Sequence, residues 1–215
     1  MTVAAKICGI GSAAAMDAAI AGGARYIGLV FYPPSPRYVT PAAAAALAAP
    51  VPAGIGKVGL LVDADDSTIA GITDQVALDM LQLHGGETPG RVAAIKARFG
   101  LPVMKAIKIA GAEDLAAVDA YADSADMILF DAKPPQDMAG ALPGGNALAF
   151  DWNLLAGRTW PLPWMLSGGL DAANVAAAVA TSGAPAVDVS SGVEARPGDK
   201  DPAKIGAFLG AVASL

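Results

Sequence analysis

Cys8, His84, Asp131 and Asp188 carry side chains suited to acid–base chemistry, and each stands where a short apolar run ends. Asp131 follows the apolar run 127–130, and because burial favours the protonated form of a carboxyl group, Asp131 is a candidate general acid. Pairing with Lys133, or capping of a turn, is its alternative role. Cys8 is the only cysteine. A lone cysteine is most often a small buried hydrophobe, but a place at a strand end before a glycine favours a chemical role.

Arg37 lies in a loop that three prolines stiffen, Tyr32-Pro33-Pro34-Ser35-Pro36-Arg37-Tyr38. A rigid loop presents an arginine with little entropic loss, which suits a bidentate clamp on a carboxylate; a solvated surface arginine is the alternative. His84 is the only histidine, and the chain has no Cys/His spacing of a metal site and no Gly-x-Ser-x-Gly nucleophile turn. We therefore predict acid–base chemistry without a metal.

Two turns rich in glycine and serine are candidates for binding phosphate. One contains Gly168 and Gly169, and the other contains Ser190, Ser191 and Gly192. Glycines let backbone N–H groups approach an oxyanion closely, and a following helix N-terminus favours negative charge. Two ordinary tight turns are the alternative.

Short apolar runs alternate with alanine-rich stretches along the whole chain. Strands are predicted at 4–8, 26–31, 57–62, 78–83, 103–107, 127–130, 164–166 and 186–189. Helices are predicted near 12–22, 41–49, 65–74, 88–99, 112–122, 151–156, 171–181 and 201–213. Ser12 and Asp171 are predicted N-caps, and Gly22-Gly23 and Gly100 are predicted helix ends.

Continuous apolar strands separated by helices indicate parallel strands buried on both faces. Eight such units predict an α/β fold, a single-domain (β/α)₈ TIM barrel over residues 1–215, rather than an open sheet. No Gly-x-Gly-x-x-Gly follows the first strand, which argues against a dinucleotide fold. In a barrel the strand C-termini share one mouth, where we expect Cys8, Arg37, Asp63, His84, Lys108, Asp131, the two turns and Asp188.

The bulk composition excludes several classes of partner. The formal net charge is −6 and the basic residues stand singly, so we expect no nucleic-acid binding. No run of eighteen apolar residues and no basic leader segment occurs, so we expect no membrane span and no export. One cysteine cannot form an internal disulfide. These features favour a cytoplasmic protein with a small-molecule substrate.

The sequence resembles phosphoribosylanthranilate isomerases along essentially its whole length. The segments that carry the resemblance are Lys6–Ile10, Gly28–Val39, Leu81–Gly85, Phe130–Lys133, Phe150–Trp152, Ser167–Leu170 and Val187–Glu194. The second and the last are specific to that family, and all seven occur in the family's order.

The resemblance implies a barrel enzyme of tryptophan biosynthesis that catalyses an Amadori rearrangement of a phosphoribosylated anthranilate. It implies Cys8 as general base and Asp131 as general acid. Arg37 would bind the anthranilate carboxylate, the turns 168–169 and 190–192 would bind phosphate, and His84 and Asp188 are further candidate substrate contacts. No cofactor is expected, and the assembly is expected to be a monomer or a homodimer. We expect Lys6 to face away from Cys8 and therefore give it no role.

One loop departs from the family pattern, which often has Gly-Gly-Thr-Gly-Lys where this chain has Gly-Gly-Asn-Ala-Leu-Ala at 144–149. Its contribution to the site is left open. Three alternative functions are considered: indole-glycerol-phosphate synthase, a dual-substrate histidine/tryptophan isomerase, and a phosphate-binding barrel without catalysis. Indole-glycerol-phosphate synthase would need an extended N-terminal segment and a lysine/glutamate pair, which this sequence does not show. The dual-substrate isomerase normally has an aspartate where Cys8 stands. A barrel without catalysis does not explain why both acid–base residues are present.

Overall fold

Eight parallel strands close into a barrel in the computed structural model, which describes residues 2–135 and 142–215. Each strand pairs with the next in chain order, and the last pairs with the first. The strands are β1 Ala4–Cys8, β2 Tyr26–Val30, β3 Gly56–Leu61, β4 Met80–Leu83, β5 Val103–Ile109, β6 Met127–Ala132, β7 Trp164–Leu166 and β8 Ala186–Val189. The predicted barrel is confirmed, and β1, β7 and β8 have the predicted bounds.

Six α-helices of the described residues surround the barrel. They are α1 Ala13–Ala21, α2 Pro41–Ala48, α3 Asp66–Thr73, α4 Pro89–Phe99, α5 Val175–Ser182 and α6 Pro202–Ala213. The Ser12 hydroxyl accepts from the backbone N–H of Ala15, as predicted for an N-cap, and Gly100 ends α4 in the left-handed region at φ +66°.

The predicted N-cap Asp171 is wrong, because α5 begins only at Val175. The Asp171 carboxylate accepts from the backbone N–H groups of Ala173 and Asn174 and so closes a separate turn before the helix. A side chain that binds nearby backbone in this way competes with helix formation.

Two segments predicted as α-helices are 3₁₀ turns, at Ala112–Ala117 with Asp119–Tyr121, and at Trp152–Leu154. Asp114 binds the backbone N–H groups just before the first segment, and Asp151 binds the N–H of Asn153 in the second. Alanine-rich composition favours a helix but does not distinguish the tighter 3₁₀ form.

A short antiparallel hairpin between β8 and α6 was not predicted. Its strands are β9 Glu194–Arg196 and β10 Asp199–Lys200, and Gly198 turns the chain between them at φ +85°. The hairpin buries the side chains of Glu194 and Lys200 against the barrel mouth, which matters for the site.

The barrel interior is apolar at one end and polar at the other. Met104, Leu129 and Met165 belong to an apolar cluster inside the barrel, separate from the larger core between strands and helices. Nearer the strand C-termini, the buried residues include the polar Lys6, Gln82, Asp131 and Asp188. Among the helices described, none has the length and apolar character needed to cross a bilayer.

Candidate active site

A cavity that encloses about 730 Å³ of empty space, part of it open to solvent, lies at the C-terminal ends of the strands. Nine of the ten sequence-predicted site residues line it: Cys8, Arg37, His84, Asp131, Gly168, Gly169, Asp188, Ser190 and Ser191. Gly192 does not, because it packs against the carbonyl group of Leu170, where a side chain would not fit. Asp63 and Lys108, which were also expected at the mouth, are not among the lining residues.

Asp131 is buried at the end of β6 and is held by two hydrogen bonds. The His84 Nε2 atom lies 3.1 Å from Asp131 Oδ2, and the backbone N–H of Ala132 donates to Oδ1 at 3.0 Å. Gln82 Nε2 lies 2.9 Å from His84 Nδ1. An amide N–H donated to Nδ1 would leave the ring hydrogen on Nε2, directed at Asp131. The suggested pairing of Asp131 with Lys133 is wrong, since Lys133 pairs with Asp114.

Cys8 is buried beside a cation that sequence reasoning excluded. Lys6 and Cys8 are two residues apart on β1, and because strand side chains alternate, they share the inward face. The expectation that Lys6 faces away from Cys8 is therefore wrong. Burial raises the pKa of the Cys8 thiol and the Asp188 carboxylate adds to this, while Lys6 and Lys200 oppose the rise.

Arg37 is buried rather than solvated, because Glu194 of the hairpin holds it. Arg37 donates through Nε and Nη2 to the two carboxylate oxygens of Glu194, at 2.7 and 2.9 Å, and through Nη2 to the carbonyl of Gly145. Lys200 donates to the same carboxylate at 2.6 Å and to the backbone carbonyl of Ser190 at 2.9 Å. The Nη1 group of Arg37 has no hydrogen-bond partner within residues 2–135 and 142–215, so it can bind an anion.

The loop 144–149, whose sequence departs from the family pattern, packs directly against Asp131 and His84. A Cβ atom at Gly144 would stand 2.7 Å from His84 Nε2 and 2.8 Å from Asp131 Oδ2, so only glycine fits there. Asn146 closes the loop on itself by exchanging two hydrogen bonds with the backbone of Leu142. The loop therefore forms a wall of the cavity in spite of its different residues.

The two turns predicted to bind phosphate follow β7 and β8 and are in contact, because Gly192 of the second turn packs against Leu170, next to Gly169. Gly168 and Gly169 have φ of +92° and +63°, and their backbone packs against the loop at Leu148. The Ser190 hydroxyl donates to the carbonyl oxygen of Cys8 at 3.2 Å. These contacts place the second turn next to the candidate base.

A buried ion pair fixes the turn that follows His84. Lys105 donates to Glu87 at 2.8 Å and to the carbonyl of Gly85 at 2.8 Å, and Glu87 accepts from the backbone N–H groups of Asp63 and Gly85. Burial alone would raise the pKa of Glu87, but Lys105 and these N–H groups hold that pKa below its ordinary value.

We expect Glu87→Gln to lower the free energy of unfolding by about 3–5 kcal/mol, because it leaves the Lys105 ammonium buried without a counter-charge. Urea unfolding at neutral pH measures this, with the exposed Glu113→Gln as the matched control. Because the pKa of Glu87 is lowered, the pair's contribution is present above the ordinary glutamate pKa of about 4.3 and is lost as the pH falls through the lower folded-state pKa. Equal stability of the two variants at neutral pH would contradict this role for the pair.

The site includes several residues that sequence reasoning missed, among them Gln82, Glu194 and Lys200. Gln82 and Glu194 both lie within segments that carry the family resemblance, which was the available signal. Their roles could not be read from it, because Arg37 and Glu194 are 157 positions apart and meet only through barrel closure and the hairpin.

Comparison with known proteins identifies one family. The sequence profile of a family described as N-(5'phosphoribosyl)anthranilate (PRA) isomerase matches residues 5–211. A protein named N-(5'-phosphoribosyl)anthranilate isomerase from Rhodospirillum centenum is 59% identical over 215 residues, covering 100% of both chains. A protein of the same name from Paramagnetospirillum magneticum is 58% identical over 209 residues, covering 97% of this chain and 96% of that one.

Solved structures agree with the sequence relatives. The crystal structure of phosphoribosyl anthranilate isomerase from Thermotoga maritima superposes with a TM-score of 0.88 at 34% identity, covering 99% of this chain and 100% of that chain. Another structure of such an isomerase, in complex with reduced 1-(o-carboxyphenylamino)-1-deoxyribulose 5-phosphate, superposes with a TM-score of 0.85 at 32% identity over 99% of this chain and all of the other.

Proposed function

Since the chain belongs to the N-(5'-phosphoribosyl)anthranilate isomerase family, we propose that Cys8 and Asp131 are the acid–base pair of its reaction. The chain is an isomerase of tryptophan biosynthesis that converts N-(5-phosphoribosyl)anthranilate to 1-(2-carboxyphenylamino)-1-deoxyribulose 5-phosphate. One observation carries the proposal: a thiol and a carboxyl group line the same cavity, together with a buried arginine and two glycine- and serine-rich turns.

Asp131 is the general acid of ring opening. The protonated carboxyl group gives its proton to the furanose ring oxygen, the bond from that oxygen to C1 breaks, and the anilinic nitrogen forms an iminium with C1. After the transfer Asp131 is a carboxylate, which the N–H groups of His84 and Ala132 stabilise. Because both ring nitrogens of His84 are engaged within the protein, we give His84 this positioning role rather than a direct substrate contact.

Cys8 is the general base of the second step. Its thiolate removes the proton from C2, the C–H electrons form a C1–C2 double bond, and the iminium electrons return to nitrogen. The resulting enolamine becomes the ketose when the C2 hydroxyl loses its proton and C1 gains one. The substrate's nitrogen donates its electron pair in ring opening and takes electrons back when C2 is deprotonated, so proton transfers alone complete the isomerisation.

The remaining predicted residues bind the two charged ends of the substrate. The Nη1 group of Arg37 contacts the anthranilate carboxylate, while Glu194 fixes the other side of the guanidinium. The backbone at Gly168-Gly169 and Ser190-Ser191 holds the phosphate, because glycine backbone leaves room for N–H groups to approach an anion. Gly192 supports this turn by packing on Leu170 and does not face the ligand. Asp188 contacts a sugar hydroxyl.

The proposed location in the cell follows from the need to keep the Cys8 thiol reduced. A catalytic thiol must stay reduced, so we propose that the protein works in the cytoplasm, where thiols are kept reduced. We propose a monomer or a homodimer, because residues of this one chain line the cavity. Multi-angle light scattering on the purified protein distinguishes the two.

Glu194→Gln is expected to raise KM for the substrate about tenfold or more, with a smaller change in kcat. The variant loses a charge-assisted, bidentate contact worth about 1.5–3 kcal/mol, so Arg37 no longer holds its orientation. Asp199→Asn, an acid-to-amide change at an exposed ion pair of the same hairpin, is the control and should leave KM unchanged. An equal KM for both variants would show that Glu194 does not orient Arg37.

Turnover by the wild-type protein tests the function itself. Purified protein is mixed with N-(5-phosphoribosyl)anthranilate, and the loss of anthranilate-type fluorescence is followed over time. We expect saturable turnover. Its absence in folded protein would overturn the proposed mechanism, and turnover of the corresponding histidine-pathway aminoaldose would instead support the dual-substrate alternative.

A further inference from the structure

Lys6 is among the largest fully buried side chains of the described residues, and the mechanism so far gives it no task. It lies inside the barrel on β1, where its ammonium donates to Asp188 Oδ1 at 2.9 Å. A buried ammonium is costly unless a counter-charge is close. The Lys6–Asp188 pair is therefore a fixed charge arrangement at the floor of the cavity.

The geometry around Gly28 shows how close this ammonium is to the thiol. A Cβ atom at position 28 would lie 2.9 Å from Cys8 Sγ and 3.2 Å from Lys6 Nζ. The thiol sulfur and the ammonium nitrogen therefore both lie against Gly28 of β2, in the place that a larger side chain would occupy. Any larger residue at position 28 would displace the thiol, the ammonium or both.

We propose that Lys6 is a positioning residue of the isomerase reaction, whose buried ammonium stabilises the thiolate of Cys8 while Asp188 holds the ammonium in place. This inference rests on the proposed role of Cys8 as base. Opposite charges in a low-dielectric interior interact strongly, so one fixed cation can offset much of the cost of ionising a buried thiol. The direction of the Lys6 influence on the Cys8 pKa agrees with this role.

Charged and titratable groups lie around Cys8 and set its electrostatic background. They are Lys6 on its own strand, Asp188 on β8, Lys200 on β10, Arg37 after β2, and His84 and Asp131 across the cavity. Lys200 also favours the thiolate, but Glu194 and Ser190 bind it directly. Lys6 instead donates to Asp188, itself a member of the cavity wall.

The test is the pH dependence of alkylation of the thiol by iodoacetamide in substrate-free protein. The chain has one cysteine, so the reaction reports on Cys8 alone. Three proteins are compared: wild type, Lys6→Met, and the double variant Lys6→Met/Asp188→Asn, which leaves no unpaired buried charge. Lys57→Met, a lysine-to-methionine change on β3 outside the cavity lining, is the matched control.

We expect the inflection in the pH profile of alkylation to lie about one pH unit or more higher in Lys6→Met than in wild type. This shift corresponds to a roughly tenfold loss of thiolate at fixed pH. The double variant should fall between the two, because it loses the opposing charge of Asp188 as well. Lys57→Met should match wild type. In turnover, kcat/KM of Lys6→Met should recover as the pH is raised, which a merely structural role would not produce.

Coincident inflections for wild type and the folded Lys6 variants would overturn the inference. If Lys6→Met alone does not fold, the double variant tests the proposal, since the inflection of its Cys8 alkylation must still lie at a higher pH than that of wild type. The base assignment fails separately: full turnover by Cys8→Ala would overturn it whatever the alkylation shows. An inactive Cys8→Ala with coincident inflections would overturn the role of Lys6 only.

Discussion

Asp131→Asn is expected to lower kcat by about 10⁴-fold or more, at or beyond the upper end of what single acid–base groups contribute. Ring opening needs a proton on the furanose oxygen, and an amide cannot supply one. The other carboxyl group in the cavity wall, Asp188, is engaged by the Lys6 ammonium, which donates a hydrogen bond to it at 2.9 Å. No second acid of the described cavity wall is therefore placed to replace Asp131.

The substitution is conservative for the fold, which makes the loss interpretable. The amide side chain that it introduces would keep an oxygen that can accept from His84 or from the backbone N–H of Ala132, so KM should change little. Steady-state fluorescence gives both constants. Asp63→Asn is the control, because Asp63 stands at the same end of the barrel outside the cavity lining, and its φ of +48° suits asparagine. A kcat for the Asp131 variant within tenfold of wild type would refute its role.

The architecture could be predicted because each strand lies in a short, mostly apolar run, and the number of runs favours closure. The predictions for β5 and β6 ended too early, because the polar residues Lys108 and Asp131 continue these strands. The predicted bounds of β2, β3 and β4 were also wrong, by one or two residues. The hairpin at 194–200 was missed because its strands are two and three residues long, below the length at which alternation is visible.

The site residues also fall into those that the sequence locates and those whose contacts it does not predict. Cys8, Asp131 and the two turns could be located, because a barrel brings strand C-termini to one mouth. The inward position of Lys6 also follows from the sequence, since residues two apart on a strand share a face. The contacts that tune the site could not be predicted: Glu194 reaches Arg37, and Gly144 reaches His84 and Asp131, only through loop conformations that local sequence does not specify.

Cys8→Ala and Cys8→Ser are both expected to lower kcat by about 10³-fold or more with little change in KM. Alanine removes the base, and a serine hydroxyl stays protonated at neutral pH although it nearly preserves the size of the thiol. Ring opening by Asp131 is unaffected in both variants, so the loss falls on proton removal from C2. Substrate deuterated at C2 should therefore show a large isotope effect in Cys8→Ser.

The pH profile of wild type gives an independent measure of the same residue. Because burial raises the pKa of the Cys8 thiol above its ordinary value, the thiolate is the minor form at neutral pH and its fraction increases as the pH rises. The Cys8 limb of kcat/KM should therefore climb from neutral into the alkaline range and be absent from the residual activity of Cys8→Ser. An alkaline limb that persists unchanged in Cys8→Ser, or turnover within tenfold of wild type in either variant, would mean that another group removes the C2 proton.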